Sequence, residues 1–176
     1  MNKAVSILLL LGLSIGVSAE EGDIYIGGSF GIWGYEEKGN PDLSPKSIEL
    51  ASIYSLLPFL DIQGNFGFGI GDDSKIVNGV DKIELEIDNY LSVYAKPKYD
   101  VMNYTFYGLA GYSYTRLVGF FNGFPETDSS NGISFGAGVS VSLNKRSSFQ
   151  VEWRQQAAPS AYKLSGFTVG YNYRIN

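Results

Sequence analysis

The chain has 176 residues, a net charge of −5, and neither cysteine nor histidine. No disulfide is therefore available, the usual His and Cys zinc sites are excluded, and so are the histidine-based general bases of most hydrolases. The acidic balance also argues against nucleic acid, whose phosphates call for a basic footprint.

Residues 1–19 carry one cation, Lys3, continue through an apolar run from Ala4 to Leu13, and end on Val17-Ser18-Ala19. This is the three-part layout of a secretory signal peptide with an A-x-A-like cleavage site. The apolar run is too short for a membrane span, and Glu20, Glu21 and Asp23 follow where a stop-transfer flank wants Lys or Arg. The expected organisation is a cleaved signal peptide over 1–19 and one β-barrel domain over 20–176. Removing Lys3 makes the net charge one unit more negative.

Beyond the signal, no segment keeps a helical apolar face and none has eighteen consecutive apolar residues. The 22 glycines, 13 tyrosines and 11 phenylalanines favour many strands in close contact, because aromatics prefer strands and glycine permits close backbone approach. Eight segments of period two follow in order. The first, 24–35, sets Ile24, Ile26, Gly28, Phe30 and Ile32 against Tyr25, Gly27, Ser29 and Gly31. "SIELASIYSL" and "LDIQGNFGFGI" are joined by the short "LPF". In "KIELEIDNYLSVYAK" the pattern opposes Ile83, Leu85, Ile87, Leu91, Val93 and Ala95 to Glu84, Glu86, Asp88, Tyr90, Ser92, Tyr94 and Lys96. Segments over 104–115, 133–143, 148–154 and 166–176 complete the set. Each is long enough, or nearly so, to cross a bilayer when tilted, which takes ~9–11 residues.

The breaks alternate in length. "EEKGNPDLSPK", "GDDSKIVNGVD", "VGFFNGFPETDSSN" and "QQAAPSAY" read as long or polar loops, whereas "LPF", "KPKYDVMN" and "NKRS" are shorter. Such asymmetry is expected of a meander whose long connections share one end.

Period two fits both a soluble barrel with its apolar face inward and a membrane barrel with that face toward lipid. Three features besides the signal peptide favour the membrane. The apolar face carries no charge, as hydrocarbon demands. The opposite face is small, as in Ser134, Gly136, Gly138, Ser140 and Ser142, which suits a crowded lumen. Aromatics gather near strand ends at Tyr54, Phe59, Tyr104, Phe106, Phe149 and Tyr173, as interfacial girdles do. An open sheet would leave unpaired backbone groups in hydrocarbon, so the last segment is expected to pair with the first.

In this order and spacing, "DIYIGGSFG", "LPFLDIQGNFGFG", "YGLAGYSYTR" and "GISFGAGVSVSLNKRSSFQVEWR" resemble the small eight-stranded outer-membrane barrels of the OmpA and OmpX type. The resemblance covers nearly all of 20–176. It implies an all-β, eight-stranded, antiparallel up-and-down transmembrane barrel in the bacterial outer membrane, with both termini and the short turns in the periplasm. It also implies a C-terminal assembly signal read by the barrel assembly machinery. Thr168, Gly170 and Tyr173 match its defined positions, and Ile175 stands where an aromatic is usual.

Relatives of this type commonly hold a charge-paired network in the lumen. Here Gln63 stands where a glutamate is frequent and Leu109 where a cation is frequent. The residues expected to form a lumenal polar network are Glu49, Gln63, Glu84, Glu86, Lys96, Glu152, Arg154 and Arg174. Glu84, Glu86 and Asp88 also share one strand face at ~7 Å intervals, a spacing that could be read as a cation site, although a solvated face is the simpler reading. "GDDSK" and "PETDSS" are acid-bearing loop stretches.

No catalytic residue, metal or cofactor is expected. The partners expected are outer-membrane lipid, lipopolysaccharide and the assembly machinery, and the barrel is expected to be a monomer. The leading expectation is a non-enzymatic outer-membrane barrel with an envelope-structural or surface-loop role. A narrow or gated pore for small solutes and a soluble periplasmic ligand-binding barrel remain as alternatives.

Overall fold

The computed structural model describes residues 21–37, 42–77, 81–156 and 162–176. The expected signal segment lies outside these. The strands are β1 (Ile24–Glu37), β2 (Lys46–Leu57), β3 (Leu60–Gly71), β4 (Asp73–Val77), β5 (Asp81–Val101), β6 (Tyr104–Phe121), β7 (Phe124–Ser142), β8 (Ser147–Gln155) and β9 (Tyr162–Arg174).

All strand pairs are antiparallel neighbours in sequence, except that β1 pairs with β9 and β3 with β5. Both exceptions are closures. β9 lies along β1 from Tyr25↔Arg174 to Glu37↔Tyr162, as the argument from unpaired backbone groups requires. β3 and β4 form one crossing interrupted at Asp72, since both pair with β5. The result is a closed barrel of eight crossings. The seam is tied at its end, where Asn176 Oδ1 accepts from Ile24 N and Asn176 Nδ2 donates to Gly22 O, each at 2.9 Å.

The two faces are those of a membrane barrel. Ile26, Leu50, Val93, Phe106 and Val169 stand on the outside, 51–64% exposed, while Gln63, Glu152, Arg154 and Thr168 are fully enclosed. A soluble barrel would reverse this, since so wide an exposed apolar band belongs against lipid. Tyr54, Phe59, Tyr104, Phe106, Phe149 and Tyr173 are all on the outside near the end that carries the termini and the short turns. That end is called the turn end here, and the opposite one the loop end.

Inside, large rings pack over missing side chains. A Cβ on Gly67 would lie 2.1 Å from the Tyr90 ring, and one on Gly138 would lie 2.7 Å from the Tyr107 ring. The aromatic and glycine counts therefore answer one another across a narrow lumen, where small and large residues must alternate.

Four expectations from the sequence are corrected. "VGFFNGFPETDSSN" is not a long loop, because β6 and β7 run on to a two-residue turn at Asn122 and Gly123, with φ of 50° and 87°. Asn-Gly is the favoured pair for such a turn because both positions need positive φ. "KPKYDVMN" is mostly strand, with the turn confined to Met102 and Asn103. "GDDSKIVNGVD" contains β4 rather than an open loop.

The fourth correction concerns β5. Its register slips between Ile87 and Asn89, so one extra residue sits in the strand and the faces exchange there. Leu85 and Ile87 consequently point inward with Tyr90 and Lys96, while Leu91, Val93 and Ala95 point outward. Glu84 and Glu86 fall on the outer face instead of the lumen.

Candidate functional site

Five of the eight expected network residues meet in the middle of the lumen. β8 contributes Glu152 and Arg154, β2 Glu49, β3 Gln63 and β5 Lys96, all at inward positions of their strands. Arg154 Nη2 donates to Glu49 Oε2 at 2.7 Å, and its Nε lies 3.5 Å from Glu152 Oε2. Lys96 Nζ donates to Gln63 Oε1 at 2.8 Å and lies 3.8 Å from Glu152 Oε1. Gln63 Nε2 donates in turn to Glu152 Oε1 at 3.3 Å. Two buried cations are thus matched by two buried carboxylates, as charges removed from water require.

The remaining donors come from residues that the sequence reading did not single out as network members. Tyr90 OH and Ser29 Oγ both donate to Glu49 at 2.9 Å. Tyr107 OH donates to Glu152 at 3.0 Å, and Lys96 Nζ stands 3.8 Å from the centre of the Tyr107 ring. Trp33 Nε1 donates to Ser47 Oγ at 2.8 Å, and its indole lies 5.5 Å from the Arg154 guanidinium. Trp33 was legible in principle, since it continues the inward positions Gly27, Ser29 and Gly31 by period two.

The other three expected residues are elsewhere. Glu84 is held by Lys82 Nζ at 2.6 Å on the outer face of β5, and Glu86 shares that face. Asp88 pairs with Arg116 at 3.2 Å. Among the described residues, no three or more of the His, Cys, Asp and Glu side chains group closely enough to hold a metal. Arg174 lies at the turn end, 3.0 Å from Asp23. A further ion pair, Lys98 with Asp61, lies near the same end.

Of the four residues matched to an assembly signal, Thr168 and Gly170 point inward and Tyr173 and Ile175 outward. Gly170 has a packing reason of its own, because a Cβ there would meet Ser29 Cβ at 2.8 Å and Gly28 O at 3.0 Å.

Apolar clusters adjoin the charge network. Tyr94, Tyr107 and Leu109 form the smaller one; Tyr107 lies against Lys96 and Glu152, and Tyr94, loopward of Lys96 on β5, reaches Ser134 and Gln156. Toward the loop end a larger cluster contains Trp33, Tyr35, Leu43, Leu85, Ile87, Tyr90, Leu117, Tyr162 and Leu164. Above that cluster lies a cavity of about 400 Å³ floored by Leu43, Leu85 and Leu117. Burial raises the Tyr35 hydroxyl above its ordinary pKa, and its hydrogen bond to Glu37 at 2.9 Å raises it further. Burial also raises Tyr162, opposed by its hydrogen bond to Ser130 at 2.7 Å.

The fold has clear relatives among solved structures. Ail, the attachment invasion locus protein of Yersinia pestis, superposes with a TM-score of 0.65 at 18% identity, over 89% of this chain and 100% of Ail. Neisserial surface protein A gives 0.65 at 12% identity, over 86% of this chain and 97% of that one. OprG from Pseudomonas aeruginosa gives 0.61 at 13% identity, over 92% and 99%. No curated protein sequence matches the chain. The family model for the outer membrane protein beta-barrel domain matches residues 5–174, and the chain therefore belongs to that family of bacterial outer-membrane barrels.

Proposed function

We propose that this chain is a closed, non-enzymatic outer-membrane barrel that serves as an envelope scaffold and presents its loop end to the outside, rather than a pore. The observation that carries this reading is the filling of the lumen from the charge network up to the loop end. The Tyr94 cluster, the Arg154 network and the Trp33 cluster leave side chains where water would have to pass, as expected of eight strands. Short turns face the periplasm in bacterial barrels, which puts the loop end outside. Lipopolysaccharide then surrounds the outer half, and recognition of Thr168, Gly170, Tyr173 and Ile175 by the assembly machinery accounts for insertion.

Ail has been solved with the heparin analogue sucrose octasulfate. The loop end here carries Glu37, Glu126 and Asp128 around its cavity, so a polysulfate is repelled rather than held there. The test is planar-bilayer recording of the refolded chain. No steady conductance is expected, and a reproducible single-channel current would overturn the closed-barrel reading.

A further inference from the structure

We infer that the loop-end cavity binds a small organic cation, an ammonium group carrying aromatic or alkyl substituents. This goes beyond the scaffold reading and does not depend on whether the barrel conducts. At about 400 Å³, the cavity falls within the ~300–1,000 Å³ of small-molecule sites.

Its chemistry has two parts. The base is apolar, with Leu43, Leu85 and Leu117 buried beneath it. The Tyr35 ring lines the same base and is backed by Tyr162, with centroids 5.0 Å apart. The wall is anionic. Asp128 lies opposite buried Leu117 and Glu126 opposite Gly119 in the β6–β7 ladder, so both carboxylates share the inward face. Glu37, which already accepts from Tyr35 OH at 2.9 Å, also borders the cavity from β1. Glu84 borders the cavity only at the rim of β5, where Lys82 neutralises it. Among the described lining residues there is no lysine or arginine.

Negative charge around a partly enclosed apolar space focuses potential on whatever enters. A bare metal ion does not match it, because the carboxylates do not converge into a coordinating set among the described residues. A hydrated ion would also have no use for the leucine floor. An anion is repelled, and a neutral apolar molecule leaves the wall unanswered. An organic ammonium satisfies both parts, placing its apolar groups on the floor, its charge within reach of the wall and one face on the tyrosine ring. Below the floor, Trp33 and Tyr90 stack edge to face at 5.5 Å, so the cavity is a blind pocket for binding and not an entrance.

The test uses the full barrel in phosphatidylcholine nanodiscs, titrated with benzyltrimethylammonium chloride by calorimetry. Benzyl alcohol serves as the neutral counterpart and benzenesulfonate as the anionic one. Binding of the ammonium at roughly millimolar affinity or tighter is expected, weakened by added salt and much stronger than either counterpart. Glu126→Gln with Asp128→Asn should weaken it ~5-fold or more. Both side chains are exposed, and unchanged heat-modifiable gel migration verifies folding. Tyr35→Phe keeps the ring and should keep the affinity. The inference is overturned if the ammonium does not bind at tens of millimolar, if benzyl alcohol binds equally well, or if the double variant binds like the parent. The probe comparison and the salt series decide the matter on the parent protein even if a variant fails to fold.

Discussion

Replacing Arg154 with methionine removes the cation that touches both Glu49 and Glu152 while keeping much of the side-chain volume. Arg154 is wholly enclosed, 2.7 Å from one carboxylate and 3.5 Å from the other. After the change Glu49 keeps the neutral donors Tyr90 and Ser29. Glu152 retains Lys96 at 3.8 Å together with Tyr107 and Gln63. Breaking a buried pair from one side costs about 3–5 kcal/mol. The surviving donors place the expectation near the lower end, about 3 kcal/mol, or roughly two powers of ten in the folding constant. The companion Arg154→Met with Glu49→Gln removes the stranded charge and should recover about 1–2 kcal/mol of that loss. Urea unfolding from phosphatidylcholine vesicles, followed by the fluorescence of Trp33 and Trp153, measures both. A loss below about 1 kcal/mol for the single variant, or a double variant less stable than the single, would refute the assignment of these groups as a mutually compensating plug.

Close packing at the glycines makes a sharper structural test. A Cβ on Gly111 would sit 1.9 Å from Val93 O, a backbone atom that cannot yield, whereas Gly64 has nothing within 4 Å. Gly111→Ala should therefore lose the heat-modifiable barrel band, and Gly64→Ala should keep it. The register slip in β5 predicts that, in a chain free of native cysteine, a maleimide reagent labels Glu84→Cys and Glu86→Cys readily in intact barrels. Leu85→Cys should stay protected, and equal labelling at all three positions would contradict the slip. The raised Tyr35 and Tyr162 pKa values mean that the neutral form is favoured in the folded state. Their contribution is complete below the unfolded tyrosine value of ~10 and is lost as pH rises beyond it. Parent-minus-variant absorbance titrations with Tyr35→Phe and Tyr162→Phe should thus show late ionisation, and a midpoint at the ordinary value would count against the buried loop-end cluster.

Much of the architecture is legible residue by residue. Alternation alone assigns Phe167, Val169, Tyr171 and Tyr173 to lipid and Thr168, Gly170 and Asn172 to the lumen, and the burial of β9 follows that order. It also picks out Glu49, Gln63, Lys96, Glu152 and Arg154, which do meet. The Asn122-Gly123 turn was written plainly in the chain, but the polar residues 126–131 around it read as loop. In a hairpin that rises beyond the bilayer both faces can be polar, so composition no longer separates strand from loop.

What the sequence determines by itself is the two-sidedness of each strand, because a period of two follows from the pleat and needs no partner. It cannot determine where that period is interrupted. The slip after Ile87 depends on how β5 lies against β6, and a single inserted residue turns every later side chain over. For that reason Glu84 and Glu86 keep their spacing yet leave the lumen, while Leu85 and Ile87 enter it. Tertiary structure likewise decides which charges meet. Arg154 and Glu49 are 105 residues apart in the chain and are brought together because closure of the barrel fixes both the stagger and the height of their strands.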